Sequence, residues 1–332
     1  MYRRYLLILS LLLLPCLPPL VASYLYLRNS GELQTMEQMG EVQSSRQDFC
    51  LVGPTLHEDF YHYKLALYRA RKPDVVVIGS SRVLQFRENY FRDRFLNMGS
   101  SMREIATGEH LLHAMLQTHK PKLVILGVDY WWFNEQVEEP GARPPPVKRS
   151  PKVDFGQLMQ PWIWLREGKI GREDFFNRLN PLYRAKGLCR IGVRARTDDS
   201  GFGPDGSNYS GALVTGRKNN FLDRQFEITL DAVREGDSRW KHGSVANDDH
   251  VRMFVALVQA FREQGIEVLL FLPPLAPSVV TAMSGLGNSY AYIDDMRHKL
   301  TAAGLTVFNF HDPRAIGSSD CEFIDGSHGG DI

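Results

Sequence analysis

The sequence contains few cysteines and almost no excess of charge. Only four of its 332 residues are cysteine, and 39 basic side chains are balanced by 38 acidic ones, which leaves a net charge of +1. So few, widely spaced cysteines exclude a disulfide-framed scaffold and a zinc site, so a hydrophobic core has to supply the stability. A chain without a net field would need a local basic stripe to hold a nucleic acid, and the sequence has none. We therefore expect no nucleic-acid partner.

Low-complexity segments and internal repeats are also missing. Glycine (28 residues) and proline (18 residues) occur near their average frequencies, and no repeat with a period of about 20 to 50 residues is visible. Apolar residues make up 43% of the chain and charged residues 23%, values that exclude wholesale disorder and a polytopic membrane protein. The length corresponds to roughly two domains, or to one large domain with insertions.

One long apolar run lies at the amino terminus. No charged residue occurs between Arg4 and Arg28, and about 20 apolar residues are just enough to cross a hydrocarbon core. Two arginines precede this run and acidic residues follow it, so the positive-inside bias keeps the amino terminus in the cytoplasm. We expect residues 1–28 to be a cytoplasmic tip and a single-pass helix in the inner (cytoplasmic) membrane, with the globular part exported to the periplasm or another extracytoplasmic space. The alternative is a signal peptide that is cleaved near Ala22.

The exported part contains three cysteines, Cys50, Cys189 and Cys321. In an oxidising compartment two of them can pair and leave the third free, and the sequence does not indicate which two. Residues 29–72 form an exported linker with helical character in this interpretation.

Beyond residue 72 the chain alternates between strand and helix patterns. Short β-branched or apolar runs predict strands, and apolar residues at helical spacing predict helices between them. The predicted strands cover 74–79, 94–99, 122–129, 266–272 and 306–310, and the predicted helices cover 102–118, 248–264 and 290–303. This succession implies right-handed crossovers and a parallel sheet covered on both faces, which is an α/β fold. Between about 131 and 245 the alternation stops, so we predict an insertion with some structure of its own.

The ends of the predicted strands carry the parts of an acyl-transfer site. Ligands of an open parallel sheet bind beyond the carboxyl ends of its strands, and these ends are followed by Ser81, by Gly99 and, after the last strand, by Asp325 and His328. A histidine oriented by a carboxylate can remove the proton of a serine, and backbone N–H groups can hold the resulting oxyanion. No G-x-G-x-x-G or P-loop follows the first strand, and no spacing fits a metal site, so we expect no nucleotide, cofactor or metal.

These short blocks resemble those of the SGNH (GDSL-like) hydrolase superfamily, in particular its membrane-anchored members that modify cell-surface polysaccharides. Gly-Ser-Ser at 79–81 is similar to the nucleophile block, Asn-Met-Gly at 97–99 to the second block, and Asp-Gly-Ser-His at 325–328 to the D-x-x-H block. The stretch 201–207 in the insertion is loosely similar to a segment of those relatives. The resemblance implies a three-layer, SGNH-hydrolase-like domain over residues 73–332.

The resemblance also assigns roles to individual residues. It implies Ser81 as the nucleophile, His328 as the base and Asp325 as the carboxylate that orients the base. The N–H groups of Ser81 and Gly99 would form the oxyanion hole.

Two features depart from the family pattern. In the third block the family often offers an asparagine donor, whereas this chain has Asp129, whose ionised carboxylate cannot donate. The chain also ends four residues after His328, where family members usually continue into a helix, so we expect a truncated carboxyl terminus. Arg82, Asp129, Tyr130 and Trp131 are the predicted substrate contacts.

The function implied is an exported acyltransferase or esterase that acts on acyl groups, in particular O-acetyl groups, of an envelope polysaccharide by a Ser-His-Asp mechanism. Its partners would be the polysaccharide, an acyl donor and a multispanning membrane acyl exporter. The alternative is a catalytically inactive scaffold, or a carbohydrate-binding component of an envelope complex, built on the same fold.

Overall fold

The computed structural model describes residues 14–57, 59–137, 154–183, 187–215 and 223–330. Strands in these ranges form a five-stranded, a four-stranded and a two-stranded sheet. In chain order they are β1 (Cys50–Val52), β2 (Val75–Gly79), β3 (Phe95–Gly99), β4 (Leu123–Gly127), β5 (Cys189–Ile191), β6 (Ser200–Phe202), β7 (Asn208–Ser210), β8 (Glu267–Leu272), β9 (Val307–Asn309), β10 (Phe323–Asp325) and β11 (His328–Gly329).

Four of the α-helices follow a residue whose side chain caps free backbone N–H groups of the first turn, namely Thr35, Asp59, Asp154 and Asn247. The α-helices are α1 (Leu17–Ser30), α2 (Met36–Ser44), α3 (Phe60–Arg71), α4 (Ile105–Leu116), α5 (Phe155–Arg166), α6 (Arg172–Asn177), α7 (Val193–Thr197), α8 (Gly211–Val214), α9 (Glu227–Glu235), α10 (Asp248–Glu263), α11 (Pro277–Gly285) and α12 (Tyr292–Ala302).

The five-stranded sheet is parallel throughout and has the order β3-β2-β4-β8-β9. The strand order reverses between β2 and β4, which creates a crevice at the carboxyl ends of these strands. All five predicted strands are present, so the expected α/β fold with a parallel sheet is confirmed. Helices α4, α10 and α12 lie within the predicted helical ranges, whereas α11, which starts at Pro277, had no counterpart in the sequence prediction.

The two faces of this sheet are covered differently. One face joins the main core, in which side chains of the strands pack with those of α3, α4, α10 and α12; its strand residues include Val76, Ile78, Leu96, Met98, Val124, Leu126, Leu270 and Leu272. The other face packs mainly against the loop that follows β2, through Val83, Phe86 and Phe91. No α-helix of the described ranges belongs to that second cluster. Both faces of the sheet are therefore covered, the first largely by helices and the second largely by this loop.

The smaller four-stranded sheet, with the order β5-β1-β6-β7, combines two distant parts of the sequence. Strand β1 comes from the segment before the main sheet, and it pairs in parallel with β5 and antiparallel with β6 of the insertion. Cys50 and Cys189 occupy opposite positions of β1 and β5 and form a disulfide, while Cys321 is exposed and free. Pairing of the strands thus decides which cysteines are bonded.

Removing this disulfide should lower stability strongly, because the bond closes a loop with a sequence separation of 139 residues. We expect the double variant Cys50→Ala/Cys189→Ala to lose about 2–4 kcal/mol of unfolding free energy, measured from urea unfolding curves. Cys321→Ser is the matched control and should unfold like the parent, since Cys321 is exposed and forms no disulfide. Equal midpoints for the double variant and the parent would contradict this prediction.

The described half of the predicted membrane anchor packs against the insertion. Tyr26 and Leu27 of α1 are fully buried, and the Tyr26 ring stacks on Phe175 with the ring centres 5.3 Å apart. Among the described residues, no helix combines the length and the apolar character that crossing a bilayer requires. Residues 1–13, which would supply the first half of the predicted anchor, lie outside the described ranges.

Candidate active site

Ser81 lies directly beyond the carboxyl end of β2, beside the point where the strand order reverses. The buried strand ends at Gly79, whose φ of +154° is a backbone conformation that residues with a side chain rarely adopt. A short 3-10 helix, Ser81–Val83, follows, and the Ser80 hydroxyl caps it by accepting from the Arg82 N–H at 3.3 Å. This turn leaves the Ser81 side chain half-buried at the edge of the sheet.

The fold brings Ser81 together with the two residues near the carboxyl terminus. The Ser81 hydroxyl lies 2.7 Å from His328 Nε2. On the other side of the ring, His328 Nδ1 lies 2.9 and 2.8 Å from the two carboxylate oxygens of Asp325. An ionised carboxylate only accepts, so Nδ1 carries the ring proton and Nε2 is left free to accept the serine proton. The geometry is that of a nucleophile, a base and an orienting carboxylate.

Asp325 is held in its ionised form by its surroundings. Burial alone would raise the pKa of the Asp325 carboxyl, but the contact with His328 and the N–H groups of Ser327 and His328 outweigh burial and lower it to about 2. The carboxylate therefore stays charged at any ordinary pH and can stabilise an imidazolium when His328 takes a proton.

The hairpin that carries His328 is anchored to the rest of the domain at Gly326. Its carbonyl accepts from the Ala276 N–H at 3.1 Å, and its N–H donates to the Asp223 carboxylate at 3.4 Å. A side chain at this position would come within 2.4 Å of Thr229, so the close approach requires glycine. Packing at Gly326 thus fixes the position of His328.

The two predicted oxyanion-hole donors are in different situations. The Ser81 N–H occupies the first position of a 3-10 helix, where a backbone N–H has no acceptor within the helix. The Gly99 N–H, in contrast, donates to the Asn97 side-chain oxygen at 2.7 Å. The Asn97 amide in turn donates to the carbonyls of Val83 and Phe86 and ties β3 to the loop after Ser81. In this arrangement the Gly99 N–H holds the Asn97 side chain in place. The prediction that this N–H faces an oxyanion is therefore not supported.

Arg82 and Asp129, both predicted to contact a substrate, form a buried ion pair beneath the cleft. Arg82 Nη1 donates to Asp129 Oδ1 at 3.1 Å, and the two side chains are 0% and 1% exposed. Arg82 Nη2 donates to the carbonyls of Pro273 and Pro274, which follow β8. Burial raises the pKa of Asp129, and the Arg82 charge opposes this effect. The pair therefore fastens the ends of three strands together, and its burial excludes direct contact with a bound polymer in this conformation.

A cleft of about 360 Å³ opens beside Ser81. Tyr130 is fully buried, whereas Trp131 lines this cleft, so only Trp131 of the four predicted substrate contacts is accessible there. The cleft is lined by Phe60, Ser80, Ser81, Ser100, Arg103, Trp131 and Arg239. Sequence reasoning missed Ser100, Arg103 and Arg239. Arg239 comes from the insertion, and no local pattern marks a single arginine whose place is set by a distant contact.

The stretch 201–207 docks against the loop that positions Ser81. The Asn97 N–H donates to the Asp205 carbonyl at 2.8 Å, and the Asn208 N–H donates to the Leu84 carbonyl at 3.0 Å. Lys64 of α3 is completely buried there, and its ammonium donates to the carbonyls of Asn97 and Gly206. The insertion thus supports one side of the candidate site.

Lys64 should make stability depend on pH. Burial lowers the pKa of Lys64 to about 7, whereas an unfolded lysine titrates near pH ~10.4. Between these values the unfolded state binds more protons, so stability rises with pH across this window and the rise stops below about pH 7. We expect Lys64→Met to remove a rise on the order of 1 kcal/mol per pH unit, measured by urea unfolding at about pH 7 and 9. The control Lys122→Met, at an exposed position, should keep the parent's slope; an unchanged slope for Lys64→Met would refute the assignment.

No family model matches this chain, and no curated protein matches it at a significant level.

Proposed function

We propose that this protein is an exported SGNH-like acyltransferase or esterase that acts on acyl groups, in particular O-acetyl groups, of an envelope polysaccharide. The observation that carries the proposal is the contact of 2.7 Å between the Ser81 hydroxyl and His328 Nε2, with Asp325 on the opposite ring nitrogen. A serine becomes a good nucleophile only when a base removes its proton, and this arrangement supplies that base.

The reaction would proceed through an acyl-enzyme. Ser81 Oγ attacks the acyl carbonyl while its proton passes to His328 Nε2, and the Ser81 N–H donates to the oxyanion. The intermediate collapses, the leaving group takes the proton from His328, and the acyl group stays on Ser81. A sugar hydroxyl (transfer) or water (hydrolysis) then gives its proton to His328 and attacks the acyl-serine. The bond between the acyl carbon and Ser81 Oγ breaks, Oγ takes the proton back from His328, and the new ester or the free acid leaves.

Export is part of the proposal, and the disulfide between Cys50 and Cys189 supports it, because such bonds persist in oxidising compartments. The apolar run before Arg28 would direct the chain to the membrane. A multispanning membrane acyl exporter as the source of the acyl group is carried over from the family resemblance.

Covalent labelling tests the enzymatic proposal. We expect a fluorophosphonate to react with the full chain and to leave its adduct on Ser81, located by mass spectrometry of the peptides. Ser81→Ala should remain unlabelled. A parent chain that is folded but unlabelled would refute an activated serine.

The second candidate is a carbohydrate-binding or scaffolding component without catalytic activity. The engagement of the Gly99 N–H by Asn97 favours it, since an oxyanion hole with fewer donors stabilises the transition state less. In that case the labelling would fail, while binding to polysaccharide would persist.

A further inference from the structure

Two arginines line the cleft beside Ser81, and both belong to firmly held backbone. Arg103 precedes α4, and its carbonyl accepts from the Trp132 indole N–H at 2.8 Å. Arg239 lies in the 3-10 helix Ser238–Trp240. The next residue, Trp240, is buried (5% exposed), and its carbonyl accepts from the Tyr290 hydroxyl. The two side chains therefore project from rigid positions and not from a loose loop.

Neither guanidinium belongs to an ion pair among the described residues, although the charge of Arg239 acts on Asp129 and opposes the rise in the pKa of that carboxyl. Within the part of the chain that the structure describes, no carboxylate lies within ion-pair distance of Arg103 or Arg239. The nearest negative groups of the site are already engaged, because Asp129 pairs with Arg82 and Asp325 with His328. The described residues that line the cleft include these two cations and no acid.

Aromatic rings next to these cations complete the pattern. The Arg239 guanidinium lies over the Trp131 ring at 5.4 Å, and the buried Arg82 lies 5.5 Å from the same ring. Trp131 and Phe60 are partly exposed and add apolar aromatic surface to the cleft, on which a sugar ring can pack. A cleft with two unpaired guanidinium groups, aromatic faces and a nucleophile suits a ligand that is both sugar-like and negatively charged.

We propose that the cleft binds an anionic polymer, and that Arg103 and Arg239 hold a carboxylate or phosphate group next to the hydroxyl that gains or loses the acyl group at Ser81. The anion belongs either to an acidic sugar such as a uronate or to a phosphodiester-linked polyol chain. This inference deepens the proposed function and rests on it for the identity of Ser81 as the reacting group. Arg103 and Arg239 would thus set the specificity for the polymer.

Binding to the Ser81→Ala chain tests the proposal without turnover. Isothermal titration calorimetry would use an O-acetylated oligouronate, the same oligosaccharide with its carboxyl groups reduced to alcohols, and an oligomer of glycerol phosphate. We expect one of the two anionic oligomers to bind at least about tenfold more tightly than the neutral one, and the tighter anion identifies the source. This preference should shrink as salt is raised, because salt screens partly exposed charges.

Single substitutions locate the interaction. Arg103→Gln and Arg239→Gln should each weaken binding of the anionic oligomer by about five- to tenfold and reduce the preference over the neutral one. Arg94→Gln is the matched control, since Arg94 precedes β3 at the opposite edge of the sheet and pairs with Asp74; it should bind like the parent. Unchanged melting temperatures would show that all three variants are folded.

The outcomes separate this inference from the proposed function. Equal binding of neutral and anionic oligomers, binding unaffected by both arginine variants, or no binding at all would overturn the anion site even if Ser81 is labelled by a fluorophosphonate. Arginine-dependent binding of an anion by a chain whose Ser81 is not labelled would support the anion site and refute the enzymatic function.

Discussion

Ser81→Ala should lower the turnover of an activated ester such as 4-nitrophenyl acetate by about a thousandfold or more. In the proposed mechanism, the variant keeps the cleft, His328 and Asp325 but removes the oxygen atom that would form the acyl-enzyme. Because Ser81 is half-buried at the edge of the sheet, its loss leaves the core intact, and the melting temperature should stay close to that of the parent. Initial rates and thermal unfolding are the measurements.

A matched control for this variant is Ser284→Ala. Ser284 lies in α11, is exposed, and donates to the carbonyl of Val280 one turn earlier, so it offers a serine whose hydroxyl is bonded to the backbone and not to a histidine. We expect Ser284→Ala to retain the parent's rate. A Ser81→Ala chain that also retains the parent's rate would show that the activity resides elsewhere.

Asp325→Asn should have an effect of comparable or larger size, on the order of ten thousandfold in kcat. The amide has nearly the shape of the carboxylate, but it can donate to Nδ1 and so favours the tautomer in which Nε2 carries the proton. His328 then cannot accept the proton of Ser81, and no negative charge stabilises the imidazolium.

The pH dependence of the parent offers a separate check on Asp325. With the pKa of its carboxyl lowered to about 2, the charge is present over the whole ordinary range, so any loss of activity between about pH 4 and 8 has to come from another group. The stability that the ionised carboxylate contributes is present above its unfolded pKa of about 4 and is lost as the pH falls towards 2. A variant Asp325→Asn that retains more than about one tenth of the parent's kcat would contradict the orienting role.

Local patterns in the sequence were sufficient for the main sheet. β2 and β4 are short apolar runs between polar segments, and a strand buried on both faces has this appearance in any parallel sheet. The D-x-x-H spacing was also informative, because a turn of four residues places the Asp325 carboxylate next to His328 without help from the rest of the chain. These predictions depended only on neighbours in the sequence.

The surroundings of Ser81 were predicted less well. Arg82 follows Ser81 and was predicted to contact a substrate, yet it points into the protein because the carboxylate of Asp129 and two carbonyls after β8 lie there. Gly99 stands where a donor is expected, but the Asn97 side chain folds back onto its N–H. Whether a polar side chain faces a cleft or the interior depends on partners far away in the sequence, and periodicity carries no information about them.

The sequence by itself determined where the five strands of the main sheet and three of its helices lie along the chain, the balance of charge and the pairing of a histidine with a carboxylate three residues before it. Those features follow from side-chain size, polarity and short-range geometry, which act between residues that are close along the chain. Only the tertiary structure decided that Ser81 meets His328, that Cys50 bonds to Cys189, and that Arg103 and Arg239 share one cleft. Each of these contacts joins segments that are separated by a large part of the chain. How close two such segments come in space depends on the packing of the whole sheet and its insertion.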